Sequence, residues 1–157
     1  PVGRGRAIDL RGFSDALLGG WDFDGIVRLQ SGQPVAIATP AVNVGTSGRI
    51  EDPTIDRWFD TDAFRPAAPF TFGNIGPRSP DIRSDWTRNI DVVLVKNFVA
   101  SIRDREITTQ FRAECFNLFN TPQFAAPNGS VTSQQFGVVT RQANTGRHFQ
   151  FALKVKF

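Results

Sequence analysis

The chain has no long apolar segment, no methionine, no tyrosine, and only one cysteine and one histidine among its 157 residues. Because no run of about 18 apolar residues occurs, the sequence contains no candidate transmembrane helix. The single Cys115 excludes an internal disulfide. The net charge is only +3 and the basic residues are scattered, so nothing indicates a nucleic-acid-binding surface.

The polar residues form no recognisable catalytic or metal-binding motif. His148 is not accompanied by an arrangement of Ser, Asp or Cys residues that would make it a catalytic base. The acidic residues near the middle of the chain lack the Asp/Asn, Gly and Glu spacing of a calcium-binding loop; they are Asp52, Asp56, Asp60 and Asp62. The sequence therefore predicts a protein that is not an enzyme and holds neither a metal nor a cofactor.

The residues that are abundant favour strands and turns. The chain contains 14 Gly, 10 Pro and 15 Phe, and several segments alternate apolar with polar side chains, which is the period of a β-strand. The absence of an initiator methionine adds the expectation that the chain is a piece of a longer protein. After a turn and short helix at 1–20, strands are predicted at 21–39, 88–100, 105–120 and 136–157.

The last predicted strand shows the clearest alternation. Lys154 and Lys156 lie among the side chains of one face, and the other face is entirely apolar. Two interpretations fit this pattern, a strand of an outer-membrane barrel and the edge strand of a soluble β-sandwich. The apolar side chains are those of Phe149, Phe151, Leu153, Val155 and Phe157.

Two long segments, 40–84 and 121–135, lack strand periodicity and are predicted to be loops. The turn between the second and third strands is short by comparison. Long loops on one side and short turns on the other are typical of bacterial barrels, so both segments would be extracellular. The first loop also has aromatic residues that either contact a ligand or pack the loop against itself; they are Trp58, Phe59, Phe64, Phe70 and Phe72.

Several motifs resemble the C-terminal region of TonB-dependent outer-membrane receptors. The most similar branch is the Oar-like one, whose members often have an N-terminal carboxypeptidase-regulatory-like domain. The resemblance spans almost the whole chain, and the last motif together with Phe157 is its most specific part. The motifs are Gly20-Trp21, the segment Leu29-Gln30-Ser31-Gly32-Gln33-Pro34, Asp56-Arg57-Trp58-Phe59-Asp60-Thr61, Phe72-Gly73-Asn74, Lys96-Asn97-Phe98, and residues 110–120.

The resemblance implies an all-β fold, an antiparallel meander of four or five long strands that forms the C-terminal part of a barrel of about 22 strands. It implies the outer membrane of a Gram-negative bacterium as the location, and import or binding of a substrate too large for porins as the role. The implied partners are outer-membrane lipid, the remainder of the barrel with its plug domain, and TonB. The resemblance also implies that the barrel-assembly machinery recognises the C-terminal strand, which presents Phe149, Phe151, Leu153, Val155 and Phe157.

This chain contains no plug domain and no TonB box, so TonB would act through an N-terminal part that is missing here. The alternative from another class is a soluble cell-surface β-sandwich that binds glycan or protein through the 40–84 loop. The substrate itself cannot be identified from the sequence.

Overall fold

The fold is all β within the part of the chain that the computed structural model describes, namely residues 18–38, 40–102 and 105–157. Most of the turn and short helix predicted at 1–20 lies outside these residues. No helix in the described ranges is long and apolar enough to cross a bilayer. The strands are β1 (Trp21–Gln30), β2 (Ala41–Asn43), β3 (Phe64–Pro66), β4 (Thr87–Ile102), β5 (Arg105–Phe116) and β6 (His148–Lys156).

Four of these strands form one antiparallel sheet in the order β1-β4-β5-β6, so the predicted meander is confirmed. The register pairs Leu94 with Ala113 and Ala113 with Phe151, which fixes β4, β5 and β6 against one another. The amide of Asn97 donates to the carbonyl of Gly20 at 2.8 Å, where β1 begins. The sheet is open in the described residues, and β1 and β6 are its edges.

Three strands are shorter than the alternation predicts. The strand predicted at 21–39 ends at Gln30, and the one predicted at 105–120 ends at Phe116, where Asn117 adopts a left-handed φ of 53° that a strand cannot continue. The strand predicted at 136–157 begins only at His148. The preceding residues form turns, one of them at Gly137 with φ 79°. In contrast, β4 extends slightly beyond the predicted 88–100.

One face of the sheet, the apolar face, has large hydrophobic side chains from all four strands. Many of them are exposed: the exposed fraction is 70% for Phe23 and 68% for Leu153. The sequence of β4 is apolar on both sides, and the register places Leu94 on this face because it pairs with Ala113. The apolar face comprises Trp21, Phe23, Val27, Leu29, Val92, Leu94, Phe98, Phe111, Phe149, Phe151, Leu153 and Val155.

Lys96 is the exception on the apolar face. It pairs with Phe111 in the register, yet its side chain is only 3% exposed. Its ammonium group lies 5.2 Å from the ring centre of Trp21 and 5.0 Å from that of Phe98, and it donates to the carbonyl of Gly19. Cation–π contacts and a carbonyl acceptor compensate a buried ammonium group for lost water, so the charge is held between β1 and β4.

The opposite face, the polar face, has hydrogen-bonded side chains that cross the strands. The amide of Asn97 donates to Asp22 at 3.0 Å, and Gln110 donates to Asn97 at 2.9 Å. Lys154 lies opposite Gln110 on β6. The row therefore runs from β1 to β6, while β4 also contributes Val93, Val95 and Val99 to this face.

The long segments between the strands have mostly irregular backbone but pack compactly. Residues Leu29–Arg88 and Pro122–Thr145 form a second compact unit, here called the loop unit. Phe59, with no exposed surface, makes edge-to-face contacts with Phe64 and Phe136 at centroid distances of 5.9 and 5.1 Å. The buried core consists of Val35, Ile37, Ala41, Phe59, Ala63, Phe64 and Ile82.

Backbone hydrogen bonds join the two segments of the loop unit. The amide of Ala38 donates to Gly129 at 2.8 Å, and that of Trp58 donates to Gly137 at 2.9 Å. The amide of Val139 donates to Ile55 at 2.7 Å. The segments predicted as loops at 40–84 and 121–135 therefore fold together, because each satisfies backbone groups that the other would leave unpaired.

The core of the loop unit predicts that its stability depends strongly on Phe59. Phe59→Ala should destabilise the unit by roughly 3–5 kcal/mol, because removal of the ring leaves a cavity that the surrounding residues do not fill. Hydrogen exchange at the amides of Trp58 and Val139 measures this, since both bond across the two segments. Phe72→Ala, at a position that is 99% exposed, is the matched control and should change stability by less than about 0.5 kcal/mol. Equal exchange in the two variants would contradict the assignment of the core.

Candidate functional site

A short antiparallel stem closes the first segment of the loop unit. The amide of Ser84 donates to the carbonyl of Gln33 at 2.9 Å, and the amide of Val35 donates to Ile82 at 2.9 Å. The amide of Gln33 also donates to the hydroxyl of Ser84 at 3.0 Å. Gly32 is packed so closely against Ser84 that a Cβ atom would overlap its carbonyl oxygen. The stem therefore brings the two ends of the first segment together and supports the residues between them.

The structure brings some of the predicted ligand-contacting aromatics together and separates others. Phe59 and Phe64 are buried core residues, and Trp58 packs against the same core. Phe70 and Phe72 are fully exposed. Contact of these five residues with a ligand stays a prediction, with Trp58 as the one whose ring is both fixed and partly accessible.

Phe70 also has an unusual backbone conformation. Its φ is 61°, in the left-handed region that a bulky side chain rarely adopts. It lies beyond β3 in a turn where the amide and hydroxyl of Thr71 both donate to the carbonyl of Ala68. The turn therefore exposes to solvent an aromatic residue whose backbone conformation is unfavourable in free energy.

Two pockets open on the loop unit. The first has a volume of about 510 Å³ and includes Asn43 and Asn74 in its wall. The side chain of Asn74 accepts from the amide of Asn43 at 2.6 Å and donates to its carbonyl at 3.0 Å. The side chain of Asn43 in turn bonds the backbone of Gly45 and Thr46. The amides of this pocket therefore hold the backbone in place.

The second pocket has a volume of about 490 Å³ and lies between two tryptophans, Trp58 and Trp86. Its lining also includes five charged residues, Arg49, Glu51, Asp81, Arg83 and Asp85. Trp86 is not among the residues predicted from the sequence, although a tryptophan two residues before the strand predicted at 88–100 is a signal that could have found it. This pocket combines aromatic surface with hydrogen-bonding groups of both kinds, as ligand sites commonly do.

The acidic residues near the middle of the chain belong to the loop unit. Asp60 pairs with Arg57 at 2.6 Å. Within residues 18–38, 40–102 and 105–157, no group of three or more His, Cys, Asp or Glu side chains is placed to hold a metal ion. His148 lies on the polar face and stacks on Phe116 with a centroid distance of 4.7 Å.

Four of the five residues predicted to form the assembly signal lie on β6, and Phe157 follows the end of the strand with a side chain that is 97% exposed. Phe149, Phe151, Leu153 and Val155 belong to the apolar face of β6 and are all at least half exposed. The ring of Phe151 stacks between those of Phe111 and Phe149, with centroid distances of 6.2 and 6.5 Å. They therefore form a continuous aromatic surface on an edge strand. Recognition of this surface by another protein stays a prediction.

Comparison with known proteins gave one family. Residues 1–150 match the model of the family described as outer membrane beta barrel domain. The match includes β1 to β5, both segments of the loop unit and the start of β6. No curated protein and no solved structure matches the chain.

Proposed function

The chain belongs to the outer membrane beta barrel domain family and lies in the bacterial outer membrane, and from this premise we propose that it forms the C-terminal strands of a TonB-dependent receptor. In this proposal the receptor is Oar-like, and it binds and imports a large or scarce substrate without catalytic activity. The family membership leaves no ground for the soluble β-sandwich that the sequence also allowed.

The observation that carries the proposal is the exposed apolar face of the sheet. Phe23, Leu29 and Phe151 are each at least 66% exposed, although side chains of this size are normally buried. In water such a surface would be an aggregation liability. Against hydrocarbon it is favourable, while the hydrogen-bonded polar face meets the lumen.

Because the sheet is open, further strands from the rest of the protein are needed to close a barrel. Four strands cannot enclose a lumen, since even the smallest membrane barrels use eight. The edges β1 and β6 present backbone groups that need partners, because unpaired groups are costly in lipid. The remainder of the barrel, of about 22 strands in receptors of the proposed type, would supply these partners.

The connections of the meander support a receptor role. Both long segments leave and re-enter the sheet at the same end, whereas β4 and β5 are joined by two residues at the other end. Since barrels carry long loops on the extracellular side, the loop unit would face the medium and β6 would end at the periplasm. A folded loop unit with two pockets supports a role in binding a substrate.

The TonB dependence has a direct test. We expect the gene to encode, upstream of Pro1, a plug domain and a TonB box in the same reading frame. In cells, the full-length protein should crosslink to TonB, and deletion of the TonB box should abolish the crosslink. A signal peptide immediately before Pro1, or crosslinking that survives the deletion, would contradict the proposal.

The orientation of the sheet predicts which side chains meet lipid. In full-length protein with Cys115→Ser, a fluorophore attached after Leu153→Cys should be strongly quenched by brominated lipids. The same fluorophore after Lys154→Cys should be quenched much less, because that side chain belongs to the polar face. Equal quenching at the two neighbouring positions would show that the faces are assigned wrongly.

The proposed assembly signal predicts unequal effects of two adjacent substitutions. Phe157→Ser in the full-length receptor should lower the amount of membrane-inserted barrel several-fold, because it removes an apolar contact from the strand that the assembly machinery reads. Lys156→Ser, on the polar face, should have little effect. Membrane fractionation, protease protection and the shift in gel mobility on heating measure insertion. The same level of inserted barrel in both variants would remove Phe157 from the signal.

A further inference from the structure

We propose that the pocket between Trp58 and Trp86 binds a neutral saccharide of about one or two hexose units, a size that suits its volume of about 490 Å³. The inference rests on the proposed function, because it gives the receptor a substrate class. Three features carry it: one fixed indole ring, one exposed indole ring, and hydrogen-bonding groups of both kinds around them.

Trp58 supplies the fixed ring. Its indole N–H donates to the carbonyl of Arg83 at 2.7 Å, and its ring meets Phe124 edge-on at a centroid distance of 6.3 Å. The indole N–H is therefore satisfied within the protein, and the accessible part of the ring is apolar. A rigid apolar ring suits the C–H face of a pyranose, which presents no hydrogen-bonding group in that direction.

Trp86 supplies the exposed ring, with 57% of its surface in solvent. Its backbone is nevertheless held, because its amide donates to the Asp85 carboxylate at 2.8 Å. The other oxygen of the same carboxylate accepts from the amide of Phe124 at 3.0 Å. A large aromatic side chain on a well-anchored backbone, left in solvent at the edge of a pocket, is suited to closing over a ligand at little entropic cost.

The polar side chains of the pocket can form hydrogen bonds with the hydroxyl groups of a sugar. Glu51 and Asp81 are acceptors and Arg49 is a donor, and none of the three forms an ion pair with another described residue. A sugar hydroxyl both donates and accepts, so it can bond groups of either kind. In the first pocket, by contrast, the amide side chains are already bonded to the backbone.

The charges favour a neutral ligand over an anionic one. The carboxylate of Asp85 is occupied by two backbone amides, and the guanidinium of Arg83 donates to Gly32 at 2.8 Å. These hydrogen bonds remove neither charge, so the pocket lining carries the three carboxylates of Glu51, Asp81 and Asp85 against the two guanidinium groups of Arg49 and Arg83. An anionic sugar would meet this excess of negative charge, whereas a neutral one would not be repelled.

The test uses the full-length receptor purified from outer membranes, with cellobiose, maltose and lactose as probes in titration calorimetry. We expect at least one of these neutral disaccharides to bind at millimolar concentration. Trp86→Ala should weaken that binding by about tenfold or more, since stacking on an aromatic ring typically contributes on that order. Trp86→Phe should keep most of the affinity, and Phe119→Ala, which removes an exposed ring that belongs to neither the pocket nor the loop unit, should keep all of it.

Three results would overturn the inference: no binding of any of the three disaccharides, equal affinity in wild type and Trp86→Ala, or tighter binding of digalacturonate than of the neutral sugars. Gel mobility on heating and the TonB crosslink are measured on the same preparations. If both are normal while the sugars do not bind, this inference fails and the proposed function stands. If a sugar binds at Trp86 but the TonB crosslink is absent, the pocket assignment stands and the proposed function fails.

Discussion

The backbone hydrogen-bond ladder of β4, β5 and β6 is the interaction on which the remaining structure depends. Its register places Leu94, Ala113 and Phe151 on one face and Asn97, Gln110 and Lys154 on the other. Because successive side chains of a strand alternate, a shift by one residue would exchange the two faces completely. The polarity of the sheet therefore depends on the alternation within each strand together with this register, which brings the apolar faces of neighbouring strands to the same side.

The same chain satisfies two opposite packing rules. The sheet leaves its largest side chains exposed, as a surface for lipid requires, while the loop unit buries Phe59 and Val35 completely, as a protein in water requires. Both pockets lie on the loop unit, which packs like a protein in water. A rigid core under a binding surface reduces the conformational freedom that a ligand would otherwise have to restrict, which makes a folded loop a better receptor than a flexible one.

The sheet could be predicted from the sequence, whereas most of the candidate site could not. Alternation is a local signal, so it located β1, β5 and β6 and showed which side chains of β6 are apolar. It failed where both faces are apolar, as in β4, whose orientation follows only from its partner Ala113. It also extended the last strand to 136–147, because short apolar runs in turns resemble strands. The loop unit depends on contacts between distant segments, such as Phe59 with Phe136, and a single sequence has no signal for these.

Because Phe136 packs against Phe59 and Phe64, substitutions in one segment of the loop unit affect the packing of the other. The stem at Gln33 and Ser84 would by itself allow the intervening segment to vary freely, since doubling the length of a closed loop costs only about 0.6 kcal/mol. However, a new first segment would lose the ring that fills its core unless residues 122–145 changed with it. The two segments should therefore change together, as one unit whose halves fill each other's core.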